Sequence, residues 1–353
     1  MLYNPLFFPS VWEKYYTCNQ EEIEFAKKYY NPYAIIFGII YLVIGIIFLT
    51  LYIPCVIVMF KKEFQMISCY KIMLILGIID VIALFVSCIG SGLLSIIGLT
   101  FCSCPEINII LGTIAVGLWV AACIQSLILA FSRIVDISHK KLFRLLFEGN
   151  RTYMWFILTL IYTMYFSIFS NPMIYSQISY AWFFDPFIDY ASVDLFKRPT
   201  DYSNYPQVAN NALFVILMTT AYSIMFYDLY KISKNNSHKG ANKSLIKVQL
   251  QIFIVCFFVF SSALMYIYMQ FFESPLYITI ITQVELKDFK IHIFLKILWE
   301  LSQGCASIVY IILNNTMKIA LIKLLRCNTK NKVSVVFTKK LQKSVNINKT
   351  GKV

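Results

Sequence analysis

The chain has 353 residues, of which 59% are hydrophobic, 17% aromatic and only 14% charged, with a formal net charge of +13. A soluble domain carries roughly 25% charged residues, so a large water-soluble helical core is excluded. The positive balance would point to nucleic acid in a soluble protein, but here the basic residues cluster at the ends of apolar runs, where membrane topology accounts for them.

Met1 to Tyr30 is mixed and acidic and lacks the basic start and apolar stretch of a secretory signal. We read residues 1–33 as an extracellular N-terminus, followed by a first span that serves as its own insertion signal. A bilayer crossing takes about 20 apolar residues of helix, and lone strands cannot cross lipid. That length predicts seven helices over 34–313: Ala34–Phe60, Tyr70–Leu94, Glu106–Phe131, Thr152–Tyr175, Val208–Tyr230, Lys247–Phe272 and His292–Leu313. Residues 314–327 read as a short amphipathic helix. In it Met317, Leu321, Leu324 and Leu325 lie on the membrane while Lys318, Lys323 and Arg326 reach headgroups. Residues 328–353 are polar and Lys-rich and read as a disordered cytoplasmic tail. The sequence contains no internal repeat, which argues against an inverted-repeat transporter.

Orientation follows from Lys and Arg. The loop between spans 1 and 2 holds Lys61, Lys62 and Lys71. The next loop on that side holds Arg133, Lys140, Lys141, Arg144 and Arg151, and the third holds Lys231, Lys234, Lys239, Lys243 and Lys247. The tail carries more, whereas Glu21, Glu22, Asp185, Asp189 and Asp201 fall on the opposite side. The N-terminus is therefore expected outside and the tail inside. This pattern opposes an inverted seven-span ligand-gated channel. Cys55, Cys88, Cys123, Cys256 and Cys305 lie within apolar runs and read as small buried hydrophobes. Only three His are present, with no nucleophilic triad, phosphate loop or metal-ligand spacing, so no enzymatic activity and no cofactor is expected.

Two charged features stand inside the membrane. Asp80 sits in the middle of span 2, where an ionisable group is costly and marks function by default. Lys296 and Glu300 are four apart on one face of span 7. They either neutralise each other as a structural pair or line a pocket.

Local motifs complete the picture. Span 1 ends Leu51-Tyr52-Ile53-Pro54-Cys55. Span 2 opens Ser68-Cys69-Tyr70-Lys71 and runs to Leu76-Gly77-Ile78-Ile79-Asp80. Phe101-Cys102, Pro105 and Trp119 follow, then Trp182-Phe183-Phe184-Asp185-Pro186 in an outer loop, and Val309-Tyr310 to Asn314-Asn315-Thr316 at the end of span 7. This ordered set, over about 32–326, resembles the nematode serpentine receptor class T family of chemoreceptor-type receptors.

The resemblance implies a rhodopsin-like seven-helix bundle in the plasma membrane, by family that of sensory-neuron cilia, that signals through a heterotrimeric G protein. It implies that Asp80 binds sodium and couples span 2 to span 7. Arg133 corresponds to the arginine of the Asp/Glu-Arg-Tyr motif, or is an ordinary positive-inside arginine; its neighbours are Ser132 and Ile134, so the motif's acid is missing, and Asp136, three residues on, is within reach on one helical face. Tyr310 corresponds to the tyrosine of Asn-Pro-x-x-Tyr, with Ala306 and Ser307 in place of Asn and Pro. Either Cys102 or Cys104 corresponds to the bridged cysteine at the top of span 3. The second outer loop has no cysteine, and Cys18 is the remaining external partner. Cys327 corresponds to a palmitoylated position. On this reading an unidentified extracellular small molecule or peptide enters a pocket between spans 3, 5, 6 and 7. Its candidate residues are Trp119, Trp182, Tyr222, Tyr266, Lys296 and Glu300.

Overall fold

The computed structural model describes residues 3–28, 31–190, 193–196, 200, 202–235, 257, 260–261 and 289–325. Six of its helices are long and apolar enough to cross a membrane. Span 1 is Tyr33–Met59, span 2 Ser68–Ile97, span 3 Pro105–Ser138, span 4 Thr152–Phe169, span 5 Tyr205–Asn235 and span 7 Phe289–Leu313. The predicted span 6, with Tyr266 and Cys256, lies outside the described residues save Phe257, Phe260 and Ser261, as do Lys239, Lys243, Arg326, Cys327 and the tail.

Span 1 shows why a uniformly apolar run packs on one side. Ala34, Gly38, Tyr41, Gly45, Phe48, Tyr52, Cys55 and Met59 recur every three or four residues and are buried. Ile36, Ile39, Ile46, Ile47 and Ile57 between them face outward, as expected where lipid is the solvent. Close approach uses small residues: a Cβ on Gly38 would lie 2.8 Å from the carbonyl oxygen of Gly92 in span 2. Span 3 is the central helix, packing on spans 2, 4 and 5, while span 7 packs on spans 1 and 2. Polar side chains join the helices. Gln125 of span 3 donates to the Ile72 carbonyl of span 2 (3.1 Å) and accepts from Thr159 of span 4 (3.0 Å). Trp119 donates to Asn211 of span 5 (2.8 Å).

Several predicted boundaries are corrected. Span 4 ends at Phe169, six residues before the expected Tyr175, because Ser170 turns extended ahead of Asn171-Pro172. The residue before proline is held away from helix. Met173 to Tyr175 are apolar for another reason: they enter β1 (Ile174–Ser176), which pairs antiparallel with β2 (Ala181–Phe183) in a wholly buried hairpin. Span 3 continues to Ser138, well past Arg133. A basic amphipathic helix, Lys140–Phe147, follows it in what read as a loop. Span 2 contains a π-helical segment, Phe85–Gly90, that was not foreseen. The amphipathic helix Asn315–Leu325 forms, but its Met317 and Leu321 are buried against span 1 rather than turned to lipid. Cys55, Cys88 and Cys123 are buried as expected, whereas Cys305 is half-exposed at the edge of the span 7 stripe.

At the outer end a second, smaller core closes the bundle. Two short helices, Pro9–Tyr15 and Gln20–Lys28, join this outer core, the second packing on the Phe101–Ser103 turn. The second is started by a reciprocal box in which Glu22 N–H donates to the Asn19 side chain and Asn19 N–H to Glu22, each at 2.8 Å. Tyr16, Ala26, Phe101, Ile174, Phe187, Tyr190, Phe196 and Tyr202 share one apolar cluster. A disulfide between Cys18 and Cys102 pins this lid to the loop before span 3, and Cys104 is free. Upstream, buried Asn4 donates to the Thr113 hydroxyl and the Ser167 carbonyl, both at 2.7 Å, wedging the N-terminus between spans 3 and 4.

The hairpin's seat on span 3 is set by Gly112, where any Cβ would collide with the Met173 backbone. Backbone cannot yield as a flexible side chain can. Gly112→Ala is therefore expected to destabilise the protein by about 1–3 kcal/mol, read as a lower unfolding midpoint in detergent.

Candidate functional site

Span 2 carries Ser87, Ser91 and Ser95, four residues apart and all buried on one face. Each binds a different element. Ser87 Oγ donates to Gln303 Oε1 of span 7 at 2.9 Å. Ser91 Oγ accepts the Trp182 indole N–H of β2 at 2.9 Å. Ser95 Oγ lies 2.6 Å from the Tyr175 hydroxyl of β1. The serine ladder thus fastens the outer hairpin and span 7 to span 2.

Lys296 and Glu300 occupy the centre of this region. Their charged groups are 3.0 Å apart, with side-chain exposures of 1% and 0%. Lys296 Nζ also donates to the Ser87 carbonyl, within the π-helical segment of span 2. Widened turns of this kind leave carbonyls free for outside donors and recur at functional sites. The ammonium sits 5.1 Å from the Tyr41 ring centroid and 5.0 Å from that of Trp299, both suitable cation–π distances. Trp299 meets Trp182 edge to face at 6.5 Å, and Trp182 meets Tyr175 at 5.4 Å. Tyr41 donates to the Tyr180 carbonyl at 3.0 Å. The result is a charged nest walled by aromatic rings at the outer ends of spans 1, 2 and 7.

Of the predicted pocket residues, the structure gathers Trp182, Lys296 and Glu300 here. Trp119 instead serves the span 3–span 5 contact through Asn211, Tyr222 is a partly buried residue farther along span 5, and Tyr266 lies outside the described residues. Tyr41, Ser87, Ser91, Ser95, Tyr175, Trp299 and Gln303 were missed. The four-residue serine period in an otherwise apolar helix was the available signal.

The predicted coupling residues form two further groups. Asp80 accepts the Tyr52 hydroxyl at 2.6 Å, and the Tyr52 ring meets that of Tyr310 edge to face at 6.1 Å. Spans 1 and 2 thereby meet at a buried carboxylate, and span 7 reaches it through the Tyr52 ring. A sodium ion needs several oxygen ligands, and this geometry brings Asp80 one hydroxyl that donates to it. Among the described residues no group of three or more His, Cys, Asp or Glu converges to hold a metal, so we derive no step through sodium. Toward the inner end, Arg133 pairs with Asp136 at 3.8 Å and its guanidinium contacts the Cys69 sulfur of span 2. Ser138 at the end of span 3 donates to Asp228 of span 5. Tyr70 and Asn314 join span 2 to the end of span 7 at 3.1 Å.

Tyr52→Phe should cost about 1–3 kcal/mol, because it leaves a buried carboxylate without its donor. Asp80→Asn, which keeps an acceptor for the Tyr52 hydroxyl, should cost less. Unfolding midpoints of the two purified variants give the order.

Residues 6–334 match the family model described as serpentine type 7TM GPCR chemoreceptor Srt. The chain belongs to the Srt family. It is a seven-transmembrane helical bundle, a multi-pass membrane protein of the chemoreceptor class, and six of its spans fall among the described residues. A comparison with curated proteins finds no match. Within the receptor, the arginine that the family resemblance places at the foot of span 3 takes its acid from Asp136, one turn on.

Proposed function

We propose that this Srt receptor sits in the plasma membrane with its N-terminus outside, binds an extracellular small molecule and activates a heterotrimeric G protein. The carrying observation is the membrane-buried Lys296–Glu300 pair set among Tyr41, Trp182 and Trp299 beneath the outer hairpin. A membrane protein that only needs to fold gains little from two charges in its interior. They supply polar selectivity to a ligand entering beneath the hairpin, and their re-pairing biases the helices they join. Spans 1, 2 and 7 then pass the change along Tyr52, Asp80 and Tyr310 to the inner contacts at Arg133, Asp136 and Asp228. A ligand that prefers the re-paired arrangement shifts the population toward a conformer open to G protein. Arg133, Lys140 and Lys141 lie on the face that would receive it. The expression site, by family resemblance, is a sensory neuron's ciliary membrane.

The test is guanine-nucleotide exchange on purified G proteins by the full chain in nanodiscs, against a panel of small polar metabolites. Exchange that rises with a ligand, and is lost in Lys296→Met, supports the reading. Ligand-evoked ionic current without any exchange would replace it with a channel.

A further inference from the structure

We propose that the hollow between the loop before span 3, the β1–β2 hairpin and the 185–190 turn binds a primary ammonium group, R–NH3+. It is lined by Thr100 and Phe101 of the loop before span 3, by Tyr175 to Ile178 of the hairpin, and by Asp185 to Tyr190 of the following turn. It meets the Lys296–Glu300 nest at Tyr175, which belongs to both, while its acceptors Gln177, Asp185 and Asp189 belong to the hairpin and the following turn alone.

The first observation is Gln177. It is 3% exposed, lines the hollow, and its Oε1 has no hydrogen-bond partner. A buried carbonyl oxygen left unpaired costs about 1–3 kcal/mol, and a donor arriving in the hollow removes that cost. The second is Asp189 of the following turn, which also lines the hollow. Its carboxylate receives the Ser176 hydroxyl and, at 2.6 Å, that of Ser179. A carboxylate offers about four acceptor positions, so two hydroxyls leave room for more. Burial raises its pKa above the usual carboxylate range, which an adjoining cation would reverse. Asp185, which caps the Phe187 N–H at 2.8 Å, adds a second carboxylate to the lining.

Among the described residues the lining contains no Lys, Arg or His. The nearby serine hydroxyls already point at Asp189, so the wall presents acceptors and negative charge. An anion would meet the carboxylates of Asp185 and Asp189, and the Gln177 amide N–H groups bring no positive charge to offset them. A neutral alcohol brings one donor and no charge. An R–NH3+ group brings three donors and a positive charge, and the rings of Phe101, Tyr175 and Tyr190 give it apolar and cation–π surface. A divalent metal is the poorer fit, since calcium takes six to eight oxygens and the side chains here supply few.

The assay is saturation-transfer NMR on the full chain in nanodiscs, with empty nanodiscs subtracted and n-butylammonium as the probe. Binding is expected for n-butylammonium and not for n-butanol or butyrate. Gln177→Glu, which places a charge at the unpaired acceptor, should tighten it about tenfold, and Asp189→Asn should weaken it by about tenfold or more. If Asp189→Asn does not fold, the gain from Gln177→Glu still decides. Equal affinity for n-butanol, unchanged affinity in Gln177→Glu, or full displacement of the amine by millimolar calcium would each overturn the proposal. No G protein enters the assay, so its failure leaves the receptor reading standing, and failure of nucleotide exchange leaves this site standing.

Discussion

Cys18→Ser and Cys102→Ser should each lower the receptor's stability by about 2–4 kcal/mol, while Cys104→Ser should leave it unchanged. The bond spans a sequence separation of 84 residues and ties the two short outer helices to the loop before span 3. Without it, the lid depends on its apolar cluster around Tyr16, Phe101, Phe187 and Tyr202 and on the Asn4 wedge. Both single variants break the same bond, so the double variant should be no worse than either one. Unfolding midpoints of purified protein and the ratio of surface to total receptor in cells measure the effect. A loss in Cys104→Ser equal to that in Cys102→Ser would mean that the bridge exchanges between the two cysteines, and the lid would then have no single seat. The same variants test topology, since a disulfide forms in an oxidising compartment and places the N-terminal helices outside.

The spans were legible because their signal is local. Twenty apolar residues between charged ends need no tertiary information, and six of the seven expected runs coincide with described helices. Where the reading failed, a second structure used the same apolar letters. Met173, Ile174 and Tyr175 extend the hydropathy of span 4, yet Asn171-Pro172 has already turned the chain into the hairpin. The π-helical segment of span 2 is of another kind. Nothing in Phe85 to Gly90 announces it, because its partner, Lys296, comes from 209 residues away. The lid was invisible for a similar reason: residues 3–28 are mixed in character and acquire a buried face only against the outer loops. In the candidate site, the charged pair stood out because charge in a membrane is rare. Its aromatic and serine surroundings did not, since Ser, Tyr and Trp are ordinary in such helices.

The charged pair supports the other large prediction. Lys296→Met alone leaves Glu300 fully buried with its cation gone, and also empties the Ser87 carbonyl of its donor. Breaking one partner of a buried pair costs about 3–5 kcal/mol, whereas replacing both with apolar residues of similar size is often neutral or stabilising. Lys296→Met and Glu300→Leu should therefore each lower the unfolding midpoint sharply, and the double variant should recover most of the loss. Function should separate from stability at that point. If the pair only holds spans 2 and 7 together, the recovered double variant will exchange nucleotide as the wild type does. If ligand is read by re-pairing these charges, the double variant will be stable, reach the membrane and fail to respond. The Tyr41 and Trp299 rings favour the second outcome. They hold the ammonium at 5.1 and 5.0 Å beside its carboxylate, so Lys296 has a second electrostatic partner already in place when a ligand's cation takes Glu300. A bistable contact of this kind needs a place for the displaced charge to go, and the nest provides it without returning either group to water.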